Sequence, residues 1–414
     1  MTVPSPNESR PASPSEVENT RRGIGPLVFA NILVVIALMV QWVHAAITGD
    51  LQFRGHIIGL DFVNTWLGAR LALAGDVSAL FDFETYNAML RDLFGARFPG
   101  HMWSYPPHLL PLVAPFGAMP YVVAYALWCS LTWLIFVVGG RALGFRGVDL
   151  TLLATSPAIA MNIVVGQTGA LAGGCLMLAL GLSARRPIIA GIAAAVLTIK
   201  PQLGLLLPIE WLLRRRFLAV LAAIVGTGLL IGISLIFPGW PAWQGFLDVT
   251  MPTMRAVMVS GELTAAKVMQ PNWSSALLLL GVPRGIAITL QSAVSLVLVV
   301  WWLRTTSRLG SLANEADRAR LQTVLFLAVS ALVTPYIHNY DLVMVVPVVL
   351  WAWRDPAVLN LPPRRRRLLL ILVWLLPWIM IPLHEARIIL APVVMTTLAV
   401  LLLRQADRRA AAAA

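Results

Sequence analysis

Residues Pro187–Arg216 read PIIAGIAAAVLTIKPQLGLLLPIEWLLRRR. Two apolar runs fill this stretch, one on each side of Lys200-Pro201, and three arginines end it. Both runs are rich in Leu, Ile and Ala and lack the strict alternation of strands in a membrane barrel, so they indicate helices. Arginine clusters beside apolar helices are typical of the cytoplasmic side of a membrane. The stretch therefore predicts two membrane helices that meet at a tight outer turn.

The composition of the whole chain agrees with this prediction. Of its 414 residues 58% are hydrophobic and 12% are charged, whereas a soluble domain carries about twice that charge. The net charge is +12, but the basic residues lie in short clusters between apolar runs, which indicates control of topology and not a nucleic-acid partner. Cys129 and Cys175 both lie inside apolar runs, so neither a disulfide framework nor a metal cage is expected.

Apolar segments of helical character recur along the chain, and a helix needs about 20 residues to cross the bilayer core. They predict an all-α polytopic membrane protein with about twelve spans. The predicted spans are residues 26–47, 119–139, 150–165, 168–184, 187–200, 202–213, 217–237, 285–303, 321–335, 340–353, 367–383 and 388–403.

The charge distribution gives this arrangement an orientation. With the amino terminus inside, every cytoplasmic connection carries at least two arginines, and most of the 31 lysines and arginines fall on that side. The positive-inside rule then predicts a multi-pass protein of the cell (inner) membrane with both termini in the cytoplasm. Residues 1–25, rich in Ser, Pro and Glu, are predicted to be a disordered tail, residues 26–403 the membrane domain, and residues 404–414 a second tail.

Two outer loops are long, covering residues 48–118 and 238–284. In the first, apolar residues at helical spacing predict an amphipathic helix on the membrane surface, with acids early and arginines late, as the helix dipole favours. Those apolar residues are Phe83, Tyr86, Leu90 and Leu93; the acids are Asp82 and Glu84, and the arginines are Arg91 and Arg97. In the second loop, Trp240, Trp243 and Trp273 are interpreted as interfacial anchors.

Several predicted spans between residues 150 and 213 are shorter than a bilayer is thick. Their outer turns, at Gly166-Gln167 and Lys200-Pro201, are very tight. Helices too short to cross must lie inside the bundle or leave a water-filled recess at one face. Because both turns are on the outer side, we expect the recess to open outward.

Asp61 lies just beyond the first span, between the apolar residues Leu60 and Phe62. Two interpretations stand side by side. Its carboxylate caps the amino terminus of the helix that follows, or it acts as a general base at the edge of the recess.

Lys200 stands between two apolar runs and must either pair with an anion or reach the headgroups by extending its side chain along the helix. We favour an anionic ligand, and a phosphate suits a lysine. Gln167, in the other tight turn, is compatible with a purely structural role.

Five of the six side chains of Tyr336–Asp341 are polar, and the segment lies between apolar helices. Such a segment is either an ordinary loop or the edge of a polar pocket. His338 and Asp341 are three residues apart and would share one face of a continuing helix. Tyr105-Pro106-Pro107, just before the second span, predicts a rigid extended turn at the mouth of the recess.

Taken together and in order, these segments resemble glycosyltransferase family 87, the polyprenol-phosphate-mannose-dependent mannosyltransferases of the GT-C fold. The resemblance covers roughly residues 55–350. The matching pieces are Asp61-Phe62, Tyr105-Pro106-Pro107, Gly166-Gln167, Ala190-Gly191, Lys200-Pro201-Gln202 and Pro335–Asp341.

The resemblance implies an inverting transfer of a hexose from a polyprenyl-phosphate sugar to a glycolipid or glycan acceptor at the non-cytoplasmic face. It implies that Asp61 is the general base. We assign Lys200 and Gln167 to the donor phosphate. A lone aspartate replaces the paired acids with which some GT-C enzymes hold a metal, so no divalent cation or other cofactor is expected. The residues assigned to the substrate pocket are Tyr105, His338, Asn339, Tyr340 and Asp341.

A transporter or flippase is the main alternative, because twelve spans and intramembrane polar residues also occur there. Transporters often contain internal repeats, and none is evident between the two halves of this chain. The polar residues also cluster at one face, whereas alternating access favours a site at the midplane. A membrane scaffold would leave Lys200 unexplained.

Overall fold

The computed structural model describes residues 14–48, 52–53, 56–96, 98–259, 265–334 and 336–413. Residues 1–13, half of the predicted amino-terminal tail, lie outside the described residues, as do Arg97 and Pro335. The described chain is almost entirely helical. Its one sheet is a pair of two-residue antiparallel strands, β1 (Gln52–Phe53) and β2 (His56–Ile57).

Twenty α-helices follow one another along the described chain. They are α1 (Pro14–Thr48), α2 (Phe62–Ala74), α3 (Phe83–Phe94), α4 (Leu109–Gly117), α5 (Tyr121–Ala142), α6 (Gly147–Ala154), α7 (Pro157–Val165), α8 (Gly169–Leu182), α9 (Pro187–Leu197), α10 (Leu207–Leu213), α11 (Phe217–Ser234), α12 (Trp240–Gly245), α13 (Met251–Val259), α14 (Ala265–Val268), α15 (Trp273–Leu279), α16 (Arg284–Arg308), α17 (Glu315–Val333), α18 (Val346–Arg354), α19 (Pro363–Glu385) and α20 (Leu390–Ala413). Short 3₁₀ helices at Pro201–Gly204 and Asn339–Val345 precede α10 and α18.

Within the described residues, six helical segments are long and apolar enough to cross a membrane. They are Tyr121–Ala142, Gly147–Val165, Phe217–Met258, Arg284–Arg308, Pro363–Glu385 and Leu390–Ala413. Each overlaps one predicted span. The other predicted spans coincide with shorter or less apolar helices, so the polytopic all-α class is supported while a count of twelve crossings stays a prediction.

The boundaries of several elements differ from those predicted. The helix α1 begins at Pro14, inside the predicted tail, and α20 continues through the predicted carboxy-terminal tail to Ala413. The span predicted at 150–165 is divided by Ser156 into α6 and α7, because Pro157 starts a new helix at its first position.

Small residues let the central helices approach one another closely. A Cβ atom at Gly139 of α5 would lie 2.7 Å from the carbonyl oxygen of Gly174 in α8, so only glycine fits there. Such contacts are typical of helix association in membranes, where close van der Waals packing replaces the hydrophobic effect. The close packing of α5 against α8 thereby fixes the positions of the turns at the ends of these helices.

The first of the two long segments predicted to be outer loops contains α2, α3 and α4. As predicted, α3 is amphipathic, and it is capped at its amino terminus by Asp82, whose carboxylate accepts a hydrogen bond from the backbone N–H of Thr85 at 2.7 Å. Tyr86 and Leu90 are buried, while Phe83 and Leu93 are exposed. The backbone hydrogen bond to Thr85 is also the main cause that lowers the pKa of Asp82.

The Trp residues of the second long segment have more specific roles than anchoring. Trp243 Nε1 donates to Ser234 Oγ at 3.0 Å, and Trp273 Nε1 donates to Thr396 Oγ1 at 2.9 Å. Trp240 is exposed and fits the interfacial interpretation. Two of the three tryptophans therefore fix helix ends to one another.

The predicted orientation is testable with two single-cysteine variants at exposed positions, Glu84→Cys in α3 and Ala313→Cys between α16 and α17. The native Cys129 and Cys175 are buried and serve as a silent background. On intact cells, a membrane-impermeant maleimide should label position 84 and should label position 313 only after permeabilisation. Labelling of position 313 on intact cells, with protection of position 84, would reverse the topology.

Candidate active site

A cavity of about 530 Å³ lies where the segment α2–α4 meets the tight turns of the helix bundle. The predicted site residues that line it are Asp61, Tyr105, Gln167, Lys200, His338, Tyr340 and Asp341. They come from segments far apart in sequence, so the fold assembles them. Each position has an identifiable local cause.

Asp61 is placed by backbone hydrogen bonds to the end of α7. The N–H of Asp61 donates to the carbonyl of Val165 at 2.9 Å, and the N–H of Gly59 donates to that of Val164 at 3.0 Å. These two bonds align the segment before α2 with the turn that begins at Gly166. They bring Asp61 next to Gln167.

This alignment needs glycine on both sides. Gly59 and Gly166 have φ of 72° and 70°, in the left-handed region that other residues rarely adopt. A Cβ atom at Gly166 would overlap Phe62, and one at Gly59 would lie 2.8 Å from the hydroxyl of Tyr121. The close approach of the two turns therefore depends on the absence of side chains at both positions.

The side chain of Asp61 does not cap α2. Although Asp61 occupies the cap position, its carboxylate makes no hydrogen bond to the helix backbone. Its Oδ2 instead accepts from Gln167 Nε2 at 2.9 Å. The capping interpretation is therefore wrong, and the carboxylate faces the cavity.

Gln167 connects Asp61 to Tyr105. The Tyr105 hydroxyl donates to Gln167 Oε1 at 2.8 Å, and the backbone N–H of Thr168 donates to the same oxygen at 3.1 Å. The acceptor end of the amide is fixed by these bonds, so its N–H₂ end must face Asp61. This fixed amide orients the carboxylate.

His101 approaches Asp61 from the other side. Its Nε2 lies 3.1 Å from the carbonyl oxygen of Leu60 and 3.5 Å from Asp61 Oδ1. Because a carbonyl only accepts, this geometry requires a proton on Nε2. Asn87 of α3 holds the His101 backbone, accepting from its N–H at 2.8 Å and donating to its carbonyl at 3.0 Å. The buried face of the amphipathic helix thus positions the histidine.

Lys200 and Asp341 form a buried ion pair across the cavity-lining turns. Lys200 Nζ donates to Asp341 Oδ1 at 2.7 Å, and the residues are 6% and 1% exposed. The ammonium also lies 4.6 Å from the ring centroid of Tyr340, within the range of a cation–π contact. Lys200 does not extend to the membrane surface, so that interpretation is wrong. Its partner is a carboxylate of the protein.

His338 and Asp341 cap the 3₁₀ helix Asn339–Val345 reciprocally. Asp341 Oδ2 accepts from the backbone N–H of His338 at 3.1 Å, so both carboxylate oxygens of Asp341 are used. The His338 ring stacks on Tyr340 with centroids 5.1 Å apart. Burial lowers the pKa of His338 to about 4, and the imidazole is neutral at physiological pH.

Tyr336 brings a hydroxyl to the same cavity and packs edge-on against His338. Burial first, and then the carboxylates of Asp341 and Asp61, raise its pKa to about 12. The phenol therefore keeps its proton and can donate a hydrogen bond to a ligand.

A comparison with protein-family models finds a match to the model described as glycosyltransferase family 87, over residues 103–335, more than half of the chain. The chain belongs to glycosyltransferase family 87. It is a membrane glycosyltransferase, and family membership sets aside the transporter and scaffold alternatives. Comparisons with curated proteins and with solved structures found no match.

The family match covers part of the candidate site. Tyr105, Gln167 and Lys200 lie within residues 103–335, whereas Asp61 and His338–Asp341 lie outside them. The structure brings both groups to one cavity. The contacts across the cavity, Gln167 with Asp61 and Lys200 with Asp341, each join a matched residue to an unmatched one.

Asn339 does not belong to the cavity of the glycosyltransferase, contrary to the prediction. Its side chain is fully buried and donates from Nδ2 to the carbonyl of Pro377 at 2.9 Å, while its backbone N–H donates to the carbonyl of Met269 at 2.7 Å. Neighbouring residues of an irregular turn face different directions, and the sequence pattern does not reveal which one faces inward.

Sequence reasoning missed several lining residues of the glycosyltransferase. His101 is the most consequential, and its position two residues before the Trp103–Pro107 turn was the only available signal. A group of methionines also lines the cavity together with Phe246. They are Met102, Met254, Met258 and Met269. Within the described part of the chain, no group of three or more His, Cys, Asp or Glu side chains could hold a metal ion.

The ion pair gives a stability prediction for the glycosyltransferase. Lys200→Met and Asp341→Leu each leave one buried charge without its partner, so each should cost about 3–5 kcal/mol of folding stability. The double variant removes both charges and should recover most of that loss. Thermal unfolding in detergent measures it. Equal effects of the double variant and the sum of the single ones would show that the two groups are not coupled.

Proposed function

We propose that this glycosyltransferase moves a hexose from a polyprenyl-phosphate sugar to a hydroxyl of a glycolipid or glycan acceptor. Transfer inverts the anomeric configuration, occurs at the non-cytoplasmic face of the cell membrane and uses Asp61 as the general base. Mannose as the hexose, and the absence of a required divalent cation, follow from the family resemblance and from the lone aspartate.

The observation that carries this proposal is the position of the Asp61 carboxylate and its contacts. It lies in the cap position of α2 without capping, is held by Gln167 on one oxygen and faces His101 with the other. A carboxylate fixed by a side-chain amide at a partly open cavity has the geometry that a general base requires.

The proposed reaction needs a base for the acceptor hydroxyl and a cation beside the departing phosphate. Asp61 takes the proton of the acceptor hydroxyl while that oxygen attacks the anomeric carbon. The bond between the anomeric carbon and the phosphate oxygen breaks, and polyprenyl phosphate leaves as an anion. Single displacement inverts the configuration, by the same logic as in inverting glycosidases. The donor is already an ionised phosphodiester, and the polyprenyl phosphate monoester that leaves is a stable anion, so its departure needs a nearby cation and no general acid.

Lys200 is our candidate for that cation. A lysine has three N–H donors, and Asp341 uses one of them. The other two allow a phosphate to share the ammonium with Asp341. Gln167 was assigned to the phosphate as well, but its described hydrogen bonds serve Asp61, Tyr105 and Thr168, so we propose a positioning role for it.

His338, Tyr336 and Tyr340 complete the proposed substrate pocket. A neutral imidazole and two protonated phenols are donors and acceptors without charge, suited to the hydroxyls of a sugar. We propose that Asp341 supports the pocket through the ion pair, because both of its oxygens are engaged. The outer face follows from the distribution of arginines, which assigns the opposite helix ends to the cytoplasm.

Asp61→Asn is the direct test of the base. Asparagine keeps the size and accepts the same hydrogen bond, so the variant should fold and bind donor while turnover falls at least about 10²-fold. Purified protein is assayed separately for donor binding and for transfer. Asp76→Asn, an exposed aspartate after the same helix, is the matched control and should behave as wild type. Near-normal turnover of Asp61→Asn would remove it as the base.

Lys200 requires a test that separates phosphate binding from folding. In the double variant Lys200→Met/Asp341→Leu no buried charge is orphaned, yet donor binding should weaken about 10–100-fold, the value of one charge-assisted hydrogen bond. Lys200→Arg should rescue binding only partly, because the two cations differ in shape. Titration with a defined polyprenyl-phosphate sugar gives the affinity. Wild-type affinity of the double variant would exclude Lys200 from the phosphate site.

A further inference from the structure

The structure has a second cavity, of about 430 Å³, away from the candidate active site. Its lining comes from the end of α10, the end of α16 and the first turns of α17. The lining residues are Leu213, Arg214, Arg216, Thr306, Ser307, Gly310, Glu315, Arg318, Ala319 and Gln322.

This cavity is separate from the proposed active site. Helix α17 has its first residues at the second cavity, whereas Tyr336 and His338, just beyond its last residue, line the first cavity. A helix of 19 residues is about 28 Å long. The two cavities therefore lie at opposite faces of the bundle, and the second one faces the cytoplasm when the active site faces outward.

Guanidinium groups dominate the charge of this cavity. Arg214, Arg216 and Arg318 line it, and their mutual repulsion contributes to lowering the pKa of Arg214, after its burial. Arg214 is ion-paired with the buried Glu210, and Arg318 has a longer contact of 3.8 Å with Glu315. Glu315 is 87% exposed, so water screens its charge. Three arginines close together, incompletely neutralised by the protein, favour an anion between them.

Several donors around the cavity lack a partner in the protein. Arg214 Nε, Arg216 Nε and the hydroxyl of Thr306 are buried without a hydrogen bond. Thr306 is 5% exposed and lines the cavity. Buried donors without a partner are costly, and a phosphate oxygen satisfies such N–H and O–H groups at once.

We infer that this cavity binds a phosphate group, with Arg216, Arg318 and Thr306 as its ligands. The group belongs to a phospholipid headgroup or to free phosphate, which share this chemistry. Exposed apolar residues next to the cavity, Leu212, Leu213 and Phe217, offer a lipid-facing surface continuous with it. Basic pockets between membrane helices on the cytoplasmic side bind anionic lipid headgroups.

The test uses the purified full chain in nanodiscs containing phosphatidylcholine alone or with phosphatidylglycerol. Native mass spectrometry counts the lipids retained after release from the disc. We expect wild type to retain phosphatidylglycerol in preference to phosphatidylcholine, and Arg216→Gln to lower that retention at least about 5-fold, the value of one arginine near the membrane surface. Thr306→Val, which removes no charge, should lower it as well.

Arg215→Gln is the matched control. It removes a neighbouring exposed arginine of the same cluster that does not line the cavity, and it should leave retention unchanged. If instead inorganic phosphate displaces the lipid and itself stabilises wild type but not Arg216→Gln in thermal unfolding, free phosphate is the ligand and the site stands. Equal losses in Arg215→Gln and Arg216→Gln, or no preference for either form of phosphate, would overturn the proposal. If Arg216→Gln fails to fold, Arg318→Gln replaces it in the same comparison.

Discussion

The buried ion pair between Lys200 and Asp341 is the interaction on which the site of this glycosyltransferase depends. It joins the 3₁₀ helix that follows α9 to the one that precedes α18, two segments 141 residues apart. In a low-dielectric interior neither charge is tolerable without the other. The pair therefore fixes where the two halves of the cavity wall meet. It also fixes the Tyr340 ring, which packs against the ammonium. The His338 ring stacks on Tyr340, so the polar turn Tyr336–Asp341 is held in place as well.

A second constraint is steric. Asp61, the proposed base, and the amide of Gln167 come together because Gly59 and Gly166 leave room for two turns to touch. The hydrogen-bond sequence from Tyr105 through Gln167 to Asp61 then follows from that contact. An ion pair thus fixes the side chains on one side of the cavity, and close backbone packing fixes those on the other side.

Much of this arrangement was predictable from the sequence. Apolar runs and arginine clusters indicate membrane helices, and polar residues at tight turns between apolar helices need a reason, which is why Asp61, Lys200 and Tyr336–Asp341 were identifiable. The pairings were not predictable. Lys200 could be seen to need an anion, but no spacing reveals that Asp341 is that anion. His101 and Asn339 show the same limit, since the direction of a side chain in an irregular segment depends on tertiary contacts such as those of Asn87 and Pro377.

The methionines Met102, Met254, Met258 and Met269 give the cavity one wall of a different character from the rest. Methionine is unbranched and has three rotatable bonds, so such a wall changes shape while the backbone stays in place. The opposite requirement holds at Asp61, where orientation must not vary. In the proposed reaction, such a site fixes the geometry of the bond that forms and accepts hydroxyl-bearing molecules of different bulk.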